Sequence, residues 1–244
     1  MNTQPAPKPG KPPFGGLSKG NTEERLDAIE RKIIDFVTPT QSVGLWAAHG
    51  HYKQLPLALS PGSWNLHERD IVSADSIHIV GSGFQTGLIM SPVNTTGCLS
   101  VSGSSVVIEN LRFQGSTGTL LNVSGSSVTI RNCWFEGSGD ANCVTVTSNY
   151  FTLESCTIVG GSANMVVVAN SDNAIINNNR FYPPAGFGSY GIFLSSTDPA
   201  VAANRCDYCV IVGNHMGSAS VDIRYNATGN HVVTGNVGNS VAYV

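Results

Sequence analysis

The sequence predicts an all-β chain wound into a single-stranded parallel β-solenoid, and three observations carry that expectation. The first is a short pattern recurring at nearly constant spacing: Val106-x-Ile108-x-Asn110-x-x-Phe113, then Val128-x-Ile130-x-Asn132-x-x-Phe135, then Phe151-x-Leu153-x-Ser155-x-x-Ile158, with steps of 22 and 23 residues. The second is a further apolar alternation following each of them, Leu121-x-Val123, Val144-x-Val146 and Val166-x-Val168. Period-two alternation marks strands with one buried face. The third is the period itself, since a 22-residue repeat that returns to the same register stacks coils rather than building hairpins.

The pattern continues in both directions. Toward the C-terminus, Ala174-x-Ile176-x-Asn178-x-x-Phe181 is followed by Val210-x-Val212-x-Asn214 and Val232-x-Thr234-x-Asn236, with an insertion placed within Tyr182 to Tyr208. Toward the N-terminus, Ile77-x-Ile79-x-Gly81-x-Gly83-Phe84 fits with glycine at the turn and extra loop at Ser91 to Thr96. The total is about seven coils, which at roughly 4.8 Å per coil gives a stack on the order of 34 Å tall. Ile108, Ile130, Leu153 and Ile176 share one offset from the turn residue and are expected in one inward column. Asparagine at the turn tolerates tight dihedrals, and its amide is suited to hydrogen bonding between coils.

These coils resemble the right-handed parallel β-helix of pectate-lyase-like proteins and phage tail spikes. Crossovers between parallel strands are right-handed almost without exception, in keeping with that handedness. Leu57-Ala-Leu-Ser-Pro-Gly-Ser-Trp64, Ile71 and Ser76-Ile-His-Ile-Val-Gly-Ser-Gly83 look like the first coil of that family. The resemblance covers residues 54–244. It is specific for fold and poor for activity, because this architecture hosts many functions. The tail-spike resemblance implies a trimer.

Composition narrows the partners. Glycine at 27 of 244 residues and only 12% charged residues suit a turn-rich solenoid, and a net charge of −3 gives no basic patch for nucleic acid. No apolar run approaches the length of a membrane span. The N-terminus lacks the apolar core of a signal peptide, so the six cysteines read as thiols rather than a disulfide framework. Cys133 and Cys156 occupy the same inward position in adjacent coils and read as buried thiols. Cys206-x-x-Cys209 has the spacing of half a zinc site or of a redox pair, but no second pair accompanies it.

Taken in order, residues 1–20 contain five prolines and cannot form a core; they read as an extended arm that orders on a larger assembly. Residues 21–37 are expected to form a short helix, with Asn21 and Glu24 resembling a capping box and Pro39 beyond its end. Leu26, Ile29, Ile33 and Phe36 make a two-heptad seam, read as a trimeric neck, with a cap on the solenoid's open end as the alternative. Residues 38–53 are a linker. Its His49-Gly50-His51 reads as solvated, so no metal and no cofactor is assigned.

Outward positions suggest the surface's role. Leu120, Cys143 and Met165 are expected in one outward row and Val167 and Phe193 in the next, an apolar patch to be covered by another subunit, with the chain's own N-terminal segment as the alternative cover. Leu120, Met165, Val167 and Phe193 therefore join Leu26, Ile29, Ile33 and Phe36 as expected trimer contacts. Glu109, Arg131 and Glu154 stack as a salt ladder. Glu109 and Glu154 stand roughly 9 to 10 Å apart, near the upper limit for an inverting glycosidase pair. Arg131 between them would hold both ionised, so no catalytic residue is assigned.

For ligand recognition the candidates are Tyr182, Phe187 and Tyr190 on the inserted loop and Trp134 beside Arg112, whose rings can stack on sugars. The combined reading is a virion protein of a tailed phage, assembled in the host cytoplasm and trimeric. Its arm would contact other virion proteins, and its β-helix would bind host surface polysaccharide. The competing reading is a polysaccharide depolymerase of the lyase or hydrolase type.

Overall fold

The fold was analysed in a computed structural model, which describes residues 57–58, 62–66, 70–73, 75–83, 86–90, 97–115, 117–137, 141–160, 164–183, 190–195, 206–217, 221–225, 230–238 and 241–243. The expected arm, helix and linker, with His49 and His51, lie outside the described residues, as does Phe187.

Among the described residues the chain is an all-β parallel solenoid with no helix. A single turn shows how it is built. Val107–Glu109 lies in the first sheet, Arg112–Gly115 in the second and Leu121–Val123 in the third, and the chain then returns to the first sheet with Thr129–Arg131. Repetition gives three parallel sheets of eight, seven and eight strands. Among the described residues the solenoid makes about five turns. Each residue pairs with its equivalent one rung away: Ile108 with Ile130, Ile130 with Leu153, Leu153 with Ile176. All four are buried as expected. The second sheet contributes Phe113, Phe135, Ile158 and Phe181, all fully buried, with the Phe113 and Phe135 rings stacked at 4.7 Å.

The repeat holds its register through left-handed backbone at the corners. Asn110, Asn132, Ser155 and Asn178 adopt φ between 52° and 59° where the first sheet turns into the second, and Gly213 and Gly235 take the same position at 67° and 65°. Asparagine and glycine, which hold all but one of these positions, tolerate that conformation best.

The last two coils are displaced by one residue from the sequence alignment. Ile176 pairs with Ile211 and Ile211 with Val233, so Val210, Val212, Val232 and Thr234 point outward. Asn214 and Asn236 are therefore not turn residues but lie one position later, aligned with Asn179. A one-residue slip exchanges the two faces of a strand, and the inward hydrophobics Ile211 and Val233 decide which register is kept.

The consequence is an internal polar ladder running through Cys133, Cys156, Asn179, Asn214 and Asn236. The Cys133 N–H donates to Cys156 Sγ at 3.4 Å, the Cys156 N–H to Asn179 Oδ1 at 2.8 Å, and the Asn214 N–H to Asn236 Oδ1 at 2.9 Å. Each asparagine Nδ2 also donates at 2.9 Å to a backbone carbonyl: Leu153, Ile176 and Ile211 respectively. Corner amides that would otherwise be buried without partners are thereby satisfied.

Candidate functional site

Three outer surfaces carry chemistry, and pairing register sets each of them. On the first sheet Glu109, Arg131 and Glu154 stack on consecutive rungs as expected, with Arg131 Nε 2.5 Å from Glu109 Oε2. His78 joins from the preceding rung, its Nε2 2.8 Å from Glu109 Oε1. Burial alone would raise the Glu109 pKa, but hydrogen bonds from Arg131 and His78 outweigh it and hold the carboxyl below its ordinary value. A general acid requires the opposite shift. The ladder has the electrostatics of a surface ion-pair network, not of an acid and base pair.

On the second sheet the outward row is Gly87, Arg112, Trp134, Thr157, Arg180 and His215. The neighbouring row places Gln114, Glu136, Val159 and Tyr182 in line. Trp134 is half-buried between Arg112 and Thr157, and the Arg112 guanidinium pairs with Glu136. Tyr182, 43% exposed, ends the second row two rungs from Glu136. Two of the sequence-identified aromatic residues thus share one face with cations, a carboxylate and an amide. Such a mixture can stack on a sugar ring and hydrogen-bond its hydroxyls.

Tyr190 does not join them. It lies on the third sheet, where Arg224 covers its ring at 4.8 Å and donates a hydrogen bond to its hydroxyl. Phe193 packs against Tyr190 at 5.8 Å and beneath the same guanidinium at 5.5 Å.

The expected outward row of Leu120, Cys143 and Met165 requires correction. All three are at most 1% exposed within a single chain and belong to its core, so Leu120 and Met165 are not surface contacts. They precede Leu121, Val144 and Val166, which are equally buried. At this corner the chain bends from the second sheet into the third, and two successive side chains turn inward, which breaks the period of two. Val167 does lie in the outward row with Thr145 and Phe193, yet is only 9% exposed.

The six cysteines are buried, including Cys206 and Cys209. Burial pushes the Cys143 and Cys209 thiols up to about 12. No cluster of three or more metal-ligating side chains occurs among the described residues.

The third surface is the corner between the third and first sheets, which the sequence reading passed over. Its left-handed positions, one per rung, are Ser76, Ser105, Ser127, Tyr150, Asn173 and Tyr208. Tyr150 and Tyr208, at φ 60° and 54°, are each 59% exposed. A bulky aromatic residue in this conformation is uncommon and strained. The signal was present in the sequence at Tyr150, which stands where Ser105 and Ser127 stand in their own coils, whereas Tyr208 takes that position only in the register set by the pairing of Ile176 with Ile211.

Comparison with known proteins agrees with this geometry. The family model for the right-handed β-helix region matches residues 76–244. The fold is similar to that of Escherichia coli YbhC, with a TM-score of 0.62 and 12% identity over 98% of this chain and 75% of that one. It is also similar to a pectin methylesterase solved with a hexasaccharide, with a TM-score of 0.51 and 8% identity over 82% of this chain and 89% of that one. A third is the catalytic domain of a GH87 α-1,3-glucanase solved with tetrasaccharides, with a TM-score of 0.53 and 17% identity over 80% of this chain and 38% of that one. At these identities the likeness is one of fold. No curated protein sequence matches significantly. Stacked parallel coils, a left-handed corner on every rung and a matching family model over more than half its length establish that the chain belongs to the right-handed β-helix family.

Proposed function

We propose that this protein is a saccharide-binding, non-catalytic β-helix of a tailed-phage particle, a spike, fibre tip or decoration protein that contacts host surface polysaccharide. One observation carries the binding half of the reading: exposed and half-exposed aromatic side chains share the second sheet's outer face with Arg112, Glu136 and Gln114, and in the first-sheet ladder Arg131 stands on the rung between Glu109 and Glu154. Stacking surfaces are present, and Glu109 in the ladder carries a shift opposite to the one a general acid needs. The pectin methylesterase and the glucanase were solved with saccharides, which makes sugar a chemically reasonable ligand for an outer face of this fold. The particle assignment is supported by the proline-rich segment 1–20 and the seam of Leu26, Ile29, Ile33 and Phe36, features suited to anchoring and trimerisation.

The test is incubation of the full chain with purified host capsule or lipopolysaccharide, with binding and polymer length followed together. Retention on the polymer without new reducing ends or unsaturated uronate supports the proposal. Polymer shortening replaces it with a depolymerase, and absence of retention on any host polymer overturns it. Electron microscopy of source particles labelled with antibody against this chain tests the virion assignment separately.

A further inference from the structure

We propose that the corner carrying Tyr150 and Tyr208 is a stacking site for an extended, neutral polysaccharide, with Tyr150 and Tyr208 as its two platforms. The inference rests on the saccharide-binding reading above and adds a location and a ligand class to it.

Residue choice at this corner is anomalous. This corner needs a left-handed residue on every rung, and Ser76, Ser105, Ser127 and Asn173 meet that need with small side chains that tolerate it. Tyr150 and Tyr208 occupy the same position with large rings that the corner disfavours and the core does not use, since both are 59% exposed. Neither packing nor backbone geometry accounts for tyrosine there. Strain held at an exposed position is a mark of a binding surface.

Spacing identifies the kind of ligand. The backbone N–H of Tyr150 donates to the Asp172 carbonyl, and that of Asn173 to the Asp207 carbonyl, so Tyr150, Asn173 and Tyr208 occupy three consecutive rungs. Two rungs separate the tyrosines by roughly 9.6 Å. That is about the length of a disaccharide, so alternate sugars of one extended chain running along the solenoid axis meet one ring each. Tyrosine offers a rigid amphipathic surface with little side-chain entropy to lose.

The surroundings supply polar contacts and set the charge preference. Immediately before the left-handed residues stand Asn149, Asp172 and Asp207, linked rung to rung. The Asp172 N–H donates to Asn149 Oδ1 at 2.9 Å, and the Asp207 N–H donates to Asp172 Oδ1 at 2.8 Å. On the other side Ile175 is 39% exposed and Val232 53% exposed, giving the apolar faces of sugars a further contact. Two carboxylates beside the platforms repel a polyanionic chain and accept hydrogen bonds from hydroxyls. A neutral hexose polymer is therefore favoured over a uronate polymer.

The test uses the full chain in affinity electrophoresis through gels containing a neutral glucan, a neutral galactomannan, a neutral mannan or polygalacturonate. Wild type, Tyr150→Ser, Tyr208→Ser, the double serine variant and the double phenylalanine variant are compared. Serine is the residue this corner uses at 105 and 127, so the serine variants should melt no lower than wild type, and the fold is controlled. The inference expects retardation by at least one neutral polymer, weakened about tenfold for each tyrosine replaced by serine and largely kept by the phenylalanine pair. Wild-type retardation that the double serine variant retains in full overturns this site and leaves saccharide binding standing. Retardation by polygalacturonate alone overturns the ligand class. No retardation by these four polymers or by host polysaccharide overturns both the site and the reading on which it rests.

Discussion

The side-chain carbonyl of Asn214 accepts two hydrogen bonds from Asn179, one rung away, from the backbone N–H and from Nδ2, both at 3.0 Å. Asn214 in turn donates to the Ile176 carbonyl and is fully buried. Its replacement by alanine strands the Asn179 donors and the Ile176 acceptor inside the solenoid, and unmet buried groups dominate the loss. The expected destabilisation is about 3 kcal/mol. Asn178→Gly, one residue from this ladder, alters only the left-handed corner position and should stay within about 0.5 kcal/mol of wild type. Urea denaturation of the two variants tests the order; equal midpoints would place the hydrogen-bonded ladder at the wrong residue.

Ile130 and Glu109 provide the matching contrast between faces. Ile130→Asp puts a carboxylate into a dry column and should cost several kcal/mol. Glu109→Ala removes one member of a partly exposed ion-pair ladder, worth about 1 kcal/mol or less. The pH dependence has a definite sign. The folded pKa of Glu109 lies below its ordinary 4.5, so its contribution is present above that value and is lost as pH falls through the depressed folded pKa. Melting curves at pH 7 and pH 3 should show a smaller acid penalty in Glu109→Ala than in wild type.

Alkaline conditions act through the thiols. Cys143 and Cys209 are raised from an ordinary value of 9.0 to about 12 by burial, so between these limits the unfolded chain releases protons that the folded chain retains. Stability contributed by the neutral thiols is complete below pH 9.0 and declines as pH rises toward 12. Each thiol contributes a slope of about 1.4 kcal/mol per pH unit. Cys143→Ala should reduce the slope of unfolding free energy against pH by one such increment. An unchanged slope would mean that the thiol is not buried as described. A thiol-reactive chromophore at pH 8 should leave Cys143 and Cys209 unmodified until denaturant is added.

The sequence revealed most where every coil uses the same geometry. Ile108, Ile130, Leu153 and Ile176 repeat because each meets the same interior, and the period of two exposes them directly. It misled at the corners. Leu120, Cys143 and Met165 precede inward residues and were read as outward, but the bend places two neighbours on one side. In the last coils, Val210 and Val212 alternate as convincingly as Val106 and Ile108, and only the partnering of Ile211 with Ile176 resolves the register. The binding surfaces were harder to read because they depend on which residues become neighbours across rungs. Trp134 and Tyr182 share a face only through successive pairings, while Arg224 takes Tyr190 out of free display from 34 residues away.

Assembly cannot draw on Leu120 and Met165, which the chain buries in its own core. With these side chains inside the chain's own core, they offer no second adhesive surface, and the seam of Leu26, Ile29, Ile33 and Phe36 becomes the principal proposed source of trimer stability. Deletion of residues 1–37 should therefore leave β-sheet circular dichroism intact, because it removes no strand from the three sheets. The same deletion should shift sedimentation from trimer to monomer and abolish attachment to the particle. Phe193 offers little to hold the chains together, since its ring is already engaged by Tyr190 and Arg224. A truncated chain that still sediments as a trimer would assign association to the solenoid's own outer faces and overturn the neck. A truncated chain that precipitates, and is made soluble again by adding the peptide 21–37, would instead identify that segment as a cap over the open end of the stack.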